Sequence, residues 1–461
     1  MTSTSPGTVG GLADPYPPRA YAWFVVGALS LINMVSYVER QILTLLFGPI
    51  KQDFQLTDTE VSLLAGAAFV IFYVLFGLLF GRLADRSNRK RIIMIGAVFW
   101  GVATAACGLA QNFIQLFLAR ISVGVGEASL GPAALSTISD HFPRERLARA
   151  ISFYTGAQYL GAGLALVIGG LAIHIVAQLP PLDLPGLPPL RPWQMTFVIV
   201  GLGGMLALIP MFFVREPVRR GMARPAPTAG TDKAAVRSEL FAFLGANRPM
   251  FTAHFAAFSI SSMLGFGTVA WVPTFFIRVH EWAPQNVGYV YGGILAVMGA
   301  AGVIAGGRIA EWMESKGVAD TYFVLPMISL SATAVFLISA MVLAPTAEIA
   351  LGLLVFSTFL SSIPVSLIIT ALQAVAPNQL RGQLTAVYYF IANILGVASG
   401  PTVVALLTDY VYRDEMAVGL SLATASAIIT PIVVVILAFG RAGLRDSLAR
   451  SSELYAATAK S

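Results

Sequence analysis

Residues 118–140 read LARISVGVGEASLGPAALSTISD, a run apolar enough to cross a bilayer that nevertheless carries Arg120 and Glu127. Charge inside hydrocarbon is costly, and such side chains face a bundle interior or a water-filled cavity. Two readings follow. The pair could lock helices together, or it could form the polar centre of a transport path. Isolated structural pairs are uncommon in membrane interiors, which favours the second.

The rest of the chain fits that setting. Its 461 residues are 57% hydrophobic and 11% charged, whereas soluble domains carry roughly 25% charged residues. Long apolar runs call for helices rather than an outer-membrane barrel. The formal charge of +6 is no nucleic-acid signal, because the basic residues lie in loops between apolar runs. The single cysteine, Cys107, excludes an intrachain disulfide. No Walker loop, Cys/His metal cluster or Ser-His-Asp constellation is present, so the reading includes no cofactor, no metal and no catalysis. Transport would draw on a gradient.

At about 20 apolar residues per crossing, the sequence predicts an all-α membrane protein with twelve spans. They fall at 21–47, 59–80, 92–110, 113–138, 148–176, 194–214, 249–276, 286–308, 322–343, 347–373, 383–408 and 416–440. With the N-terminus inside, 23 Lys and Arg fall on the inner side and 4 on the outer. The positive-inside rule therefore predicts that both termini are cytoplasmic in a cell inner membrane. Residues 1–18, rich in Gly, Pro and Ser, read as a disordered tail, and the first apolar run is long enough to remain as a span. Residues 215–247 read as a cytoplasmic linker between a first six-helix bundle, 19–214, and a second, 248–440. Residues 441–461 follow as a cytoplasmic tail. Pro143-Arg-Glu-Arg after the fourth span and Pro377-Asn-Gln-Leu-Arg after the tenth give a weak internal repeat. Two such halves with a site near the midplane make a known transporter architecture. The Pro-rich loop 178–193 reads as a stiff extended cover.

After the second span the chain reads Gly77-Leu-Leu-Phe-Gly81-Arg82-Leu83-Ala84-Asp85-Arg86-Ser87-Asn88-Arg89-Lys90-Arg91. Gly77 and Gly81, four apart, would permit close helix packing. Asp85 works against cationic anchoring, so it reads as one half of a latch that forms when the bundles close. This stretch resembles the signature loop of the major facilitator superfamily, Gly-x-Leu-Ala-Asp-Arg-x-Gly-Arg-Lys, with Asn88 in place of a Gly. The resemblance implies a cytoplasmic gate of Gly81, Asp85, Arg86 and Arg89. A degenerate copy, Gly302 to Glu311, has Trp312 where the Arg would stand. The run ARxxVGxGEASxxPAA, together with Glu39-Arg40, resembles most the spinster branch, whose eukaryotic members move lipids such as sphingosine-1-phosphate and lysophospholipids.

Depth arithmetic at 1.5 Å per residue puts Glu39, Arg40 and Arg120 at one level and Glu127 alone, about 10 Å deeper. Asn33, Tyr37, Arg40 and Thr44 form one stripe of the first span. The expectation is that Arg40 and Arg120 attract an anion, that Glu127 carries a proton, and that Glu39 is the second candidate. The second half has no Asp, Glu, Lys or Arg in the middle of a span. It offers Ser361, Tyr388 and Asn393, and His254 reads as an interface histidine. The expected function is proton-coupled transport of an amphipathic lipid or lipid-like anion by a monomer. The alternative is a proton-coupled exporter of cationic amphiphiles.

Overall fold

The computed structural model describes residues 16–180, 188–219, 233–377 and 380–458. Most of the predicted tail 1–18 and the centre of the Pro-rich loop lie outside them. The described residues contain twelve helices long and apolar enough to cross a membrane. The first half contributes span 1 (Arg19–Leu45), span 2 (Asp58–Arg86), span 3 (Arg89–Cys107), span 4 (Phe113–His141), span 5 (Arg149–Val176) and span 6 (Pro192–Phe212). The second half contributes span 7 (Arg248–Val279), span 8 (Pro284–Ser315), span 9 (Thr321–Leu343), span 10 (Ala347–Val375), span 11 (Arg381–Tyr412) and span 12 (Glu415–Ser451). The linker region holds a helix, Lys233–Ala246, and the final helix runs on to Thr458.

Local chemistry sets the helix ends. The Asn88 and Asn112 side chains accept from the backbone N–H groups of Arg91 and Gln115, capping spans 3 and 4. Thr57 and Glu60 form a capping box at the start of span 2. Span 2 breaks at Gly66, and span 4 breaks at Ala128–Ser129, directly after Glu127. Span 11 passes through a π-helical stretch, Asn393–Val397, a form that leaves the regular backbone ladder open at functional sites.

The two bundles meet along spans 5 and 8, spans 2 and 11, and spans 1 and 7. Small residues bring these backbones together. A Cβ on Gly66 would lie 2.5 Å from the Ala398 carbonyl oxygen, and one on Gly288 would lie 2.4 Å from that of Leu166.

Inside the first bundle the tight glycines differ from the expected pair. Around Gly77 there is open space, and a Cβ on Gly81 would make only an ordinary contact with Pro132. The close approach belongs to Gly124 and Gly126 of span 4. A Cβ on Gly124 would sit 2.3 Å from the Phe69 carbonyl oxygen, and one on Gly126 would sit 2.7 Å from Trp100 Cβ. The Gly-x-Gly before Glu127 thus seats span 4 against spans 2 and 3. Gly124→Ala is expected to destabilise the protein by about 1–3 kcal/mol through overpacking, whereas Gly77→Ala should leave stability unchanged or raise it slightly. Thermal unfolding of the two variants in detergent checks this.

Candidate transport site

Span 1 carries Asn33, Tyr37, Glu39 and Arg40 into the middle of the first bundle. Arg40 Nη2 donates to Glu127 Oε2 at 2.6 Å. The Arg40 guanidinium lies over the Phe69 ring at 4.2 Å, with Tyr37 at 5.0 Å and Tyr73 at 5.5 Å. A cation over desolvated aromatic faces gains roughly 0.5–2 kcal/mol. The Glu127 side chain is 2% exposed and that of Arg40 is 17% exposed. The pair is therefore reached from the arginine side.

This pairing corrects the expected isolation of Glu127. The arithmetic counted Cα positions, but side chains lean toward their helix N-terminus. Spans 1 and 4 run in opposite directions. Arg40 therefore leans toward the face that carries the termini, Glu127 leans away from it, and the two charges converge.

Arg120 is fully buried, and its Nε donates to the Leu64 carbonyl at 3.2 Å. That carbonyl lies in the last turn before the Gly66 break. Both terminal nitrogens of Arg120 are buried without a hydrogen-bond partner, as is Nδ2 of Asn33. Glu39 is 1% exposed and accepts from Thr104 Oγ1 at 2.6 Å. Among the described residues no cation pairs with it. Close approach of Gly204 completes its pocket, since a Cβ there would lie 2.3 Å from Glu39 Oε1.

The second bundle supplies less polar chemistry. Ser361 Oγ donates to the Thr358 carbonyl and Asn393 Nδ2 to the Tyr389 carbonyl, so both bond their own helix. Tyr388 is 5% exposed, and its ring packs 5.4 Å from that of His254. The open ring is that of its neighbour Tyr389, at 51%. Tyr388, expected at the cavity, is instead taken up by core packing. His254 itself is buried, with Nε2 against the Ile368 carbonyl at 2.8 Å and Phe258 edge-on at 4.9 Å.

The signature loop divides into two parts. Gly81 is half-buried, and Asp85 and Arg86 are exposed. Among the described residues the Asp85 carboxylate makes no ion pair. Arg89 does not join them as a gate cation. It is 1% exposed and bonds Asp140 Oδ2 at 2.5 Å, Ser136 Oγ at 2.9 Å and Glu216 Oε1 at 2.8 Å. A buried guanidinium needs several acceptors, and Arg89 finds them in span 4 and the linker. It is a joint within one bundle. Arg219 of the linker adds a second tie by donating to the carbonyls of Ala84, Asp85 and Ser87 at the end of span 2.

The face away from the termini holds a latch that sequence reading missed. Asp58 of span 2 is fully buried and binds Arg278 of span 7 through both oxygens, at 2.7 and 2.6 Å. Lys51 reaches Asp58 at 2.6 Å and Glu415 of span 12 at 2.9 Å. In return, Asp409 of span 11 accepts from the Thr59 backbone N–H at 2.7 Å and from the Thr59 hydroxyl at 2.6 Å, on the positive first turn of span 2. Ser62 and Thr402 extend the seam at 3.1 Å, and Trp271 packs 5.2 Å from Phe47 across it. Each bundle lends the other an acid. The sequence showed charges at these span ends but not which partners the topology would bring together.

The family model of the Major Facilitator Superfamily matches residues 29–401, and the chain belongs to that superfamily. Within it, the chain is similar to the spinster branch. Protein spinster homolog 1 of Xenopus tropicalis is 26% identical over 417 residues, covering 85% of this chain and 74% of that one. An MFS-type efflux pump of Mycolicibacterium smegmatis is 28% identical over 405 residues, covering 87% and 88%. Among solved structures, a bacterial homolog to the human lysosomal transporter Spinster, inward-facing and unoccupied, superposes with a TM-score of 0.74 at 24% identity, covering 94% of this chain and 98% of that one. The chain is thus a membrane transporter that works by alternating access, and not an enzyme.

The bundles are tied by ion pairs at the face away from the termini, whereas among the described residues Asp85 makes no ion pair. Removing a charged partner from the latch, by Asp409→Asn or Arg278→Gln, forfeits about 1.5–3 kcal/mol per bond. Each change is expected to enlarge the population open at that face roughly ten- to hundred-fold. Electron–electron resonance distances between spin labels at Gln52→Cys and Met416→Cys measure it, and an unchanged distribution would remove the latch role.

Proposed function

We propose that this transporter moves an amphipathic lipid or lipid-like anion of the sphingolipid or lysophospholipid type, coupled to protons. We place both termini in the cytoplasm of a cell inner membrane, as the distribution of basic residues supports. The reading rests on the buried Arg120 guanidinium, whose two terminal nitrogens have no partner. A buried donor without an acceptor costs about 1–3 kcal/mol, more when charged. A phosphate or carboxylate headgroup would supply the acceptors and would compete with Glu127 for Arg40. Tyr37 lies beside Arg40 and Asn33 Nδ2 is buried without a partner, while Ser361 and Asn393 each donate one bond to their own helix. Recognition of the head therefore falls to the first bundle, while the aromatic side of span 11 suits an acyl chain.

Both acids remain candidates for the proton, but their surroundings reorder them. Glu127 is bonded by Arg40, whereas Glu39 is bonded by the Thr104 hydroxyl and, among the described residues, makes no ion pair. An uncompensated buried carboxylate costs several kcal/mol, and a bound proton removes that cost. Glu39 is therefore the first acid to test. The similarity to an efflux pump supports the exporter reading, but there Arg40, bonded to Glu127 at 2.6 Å, would have to give up its acid before a cation could take it.

The test is flux of a lysophospholipid into proteoliposomes under an imposed pH gradient. Arg120→Ala should weaken apparent affinity roughly ten- to hundred-fold. Glu39→Gln should keep gradient-free equilibration and lose accumulation against a concentration difference. Gradient-driven accumulation that survives in both Glu39→Gln and Glu127→Gln would reject proton coupling through these acids. Transport of a cationic amphiphile instead, lost in Glu127→Gln and kept in Arg40→Ala, would establish the exporter reading.

A further inference from the structure

A cleft of about 620 Å³ opens between the start of span 3 and the end of span 6, on the face that carries the termini. Lys90, Arg91 and Arg215 line it, beside Phe212 and Phe213. Arg91 and Arg215 are exposed, and among the described residues neither side chain has an acid partner. Lys90 Nζ donates one bond, to the Phe212 carbonyl at 3.0 Å, and keeps two donors free. The single acid in the cleft, Glu216, is fully engaged. Its Oε1 accepts from Arg89 Nε at 2.8 Å and its Oε2 from the Lys90 backbone N–H at 2.9 Å. The cleft therefore presents three cations against one carboxylate that already has a guanidinium of its own.

The apolar side of the cleft matches its charged side. Phe212 and Phe213 are 66% and 68% exposed at the very end of span 6, where a bilayer passes from acyl chain to headgroup. Cations at that depth beside bare aromatic rings fit a molecule with a phosphate on one end and hydrocarbon on the other. Basic pockets between transmembrane helices on the cytoplasmic side bind the headgroups of anionic lipids.

We infer that the cleft between spans 3 and 6 holds the headgroup of one anionic phospholipid. Its phosphate is bound by Lys90, Arg91 and Arg215, and its chains lie along Phe212 and Phe213. The location gives the lipid a consequence. Glu216 sits in the cleft wall and links Arg89 to the linker, so an occupied cleft braces the joint that holds spans 3 and 4 and the linker together.

The full-length protein, purified in detergent with phosphatidylglycerol or phosphatidylcholine, tests this by native mass spectrometry. One retained phosphatidylglycerol, without comparable retention of phosphatidylcholine, is the expected result. Two surface cations near a membrane contribute enough that Arg91→Gln with Arg215→Gln should lower retention roughly thirty-fold. The control changes Arg308→Gln with Lys316→Gln, exposed cations at the same end of span 8, and should leave retention unchanged. Equal retention of both lipids, or equal loss in both double variants, would overturn the site. Displacement of the lipid by millimolar inorganic phosphate would assign the cations to a soluble anion and overturn the lipid assignment. Retention in that phosphate supports it.

Discussion

A guanidinium in the middle of a membrane protein must find a partner, and the first bundle is arranged around two of them. Arg40 is held by Glu127 and by three aromatic rings. Breaking a buried pair by removing one partner costs about 3–5 kcal/mol, so the pair fixes spans 1, 2 and 4 relative to one another. Gly124 and Gly126 let span 4 come close enough for the bond to form. Arg120 is held by one backbone carbonyl, next to the break at Gly66, and keeps both terminal nitrogens without a hydrogen-bond partner. Both arginines keep buried nitrogens without a hydrogen-bond partner, Nε of Arg40 and both terminal nitrogens of Arg120, and the larger deficit at Arg120 is what the proposed anionic headgroup would fill.

The same economy of charge explains the conformation. At the face away from the termini, Asp58, Arg278, Lys51 and Asp409 tie the bundles together with bonds of 2.6 to 2.9 Å. At the other face Asp85 is exposed and, among the described residues, makes no ion pair, while nearby Arg89 and Arg219 brace their own bundle and linker. Alternating access then needs no distant signal. We propose that rocking of one bundle over the glycine seams of spans 5/8 and 2/11 breaks the Asp58–Arg278 latch as the face carrying the termini closes.

Much of this was legible in the sequence, and the limits are physical. Hydropathy located all twelve spans to within a few residues, except at the ends of spans 2, 8 and 12 on the face that carries the termini, where the helices run past the apolar stretch into charged residues. The four charged residues of the site were visible because charge in an apolar run is conspicuous. Their pairing was not, since Cα spacing ignores the opposite lean of side chains on antiparallel helices. Arg89 looked like a gate cation by its place in the signature loop, but only the fold shows that Asp140 and Glu216 converge on it. Gly77 looked like a packing residue by its spacing, although the backbone approach happens at Gly124. The latch at the face away from the termini joins residues more than 200 positions apart, as in Asp58 and Arg278, and no local pattern encodes that.

We propose that the Arg40–Arg120 site is reached only from the face carrying the termini while the Asp58–Arg278 latch is closed. Labelling Tyr37→Cys with a membrane-impermeant maleimide, in vesicles of each orientation, measures it directly. The native cysteine, Cys107, is fully buried and leaves the background low. The account predicts labelling from the termini-bearing face alone, with access from the opposite face appearing once Arg278→Gln is added. Labelling from the opposite face with the latch intact would contradict it.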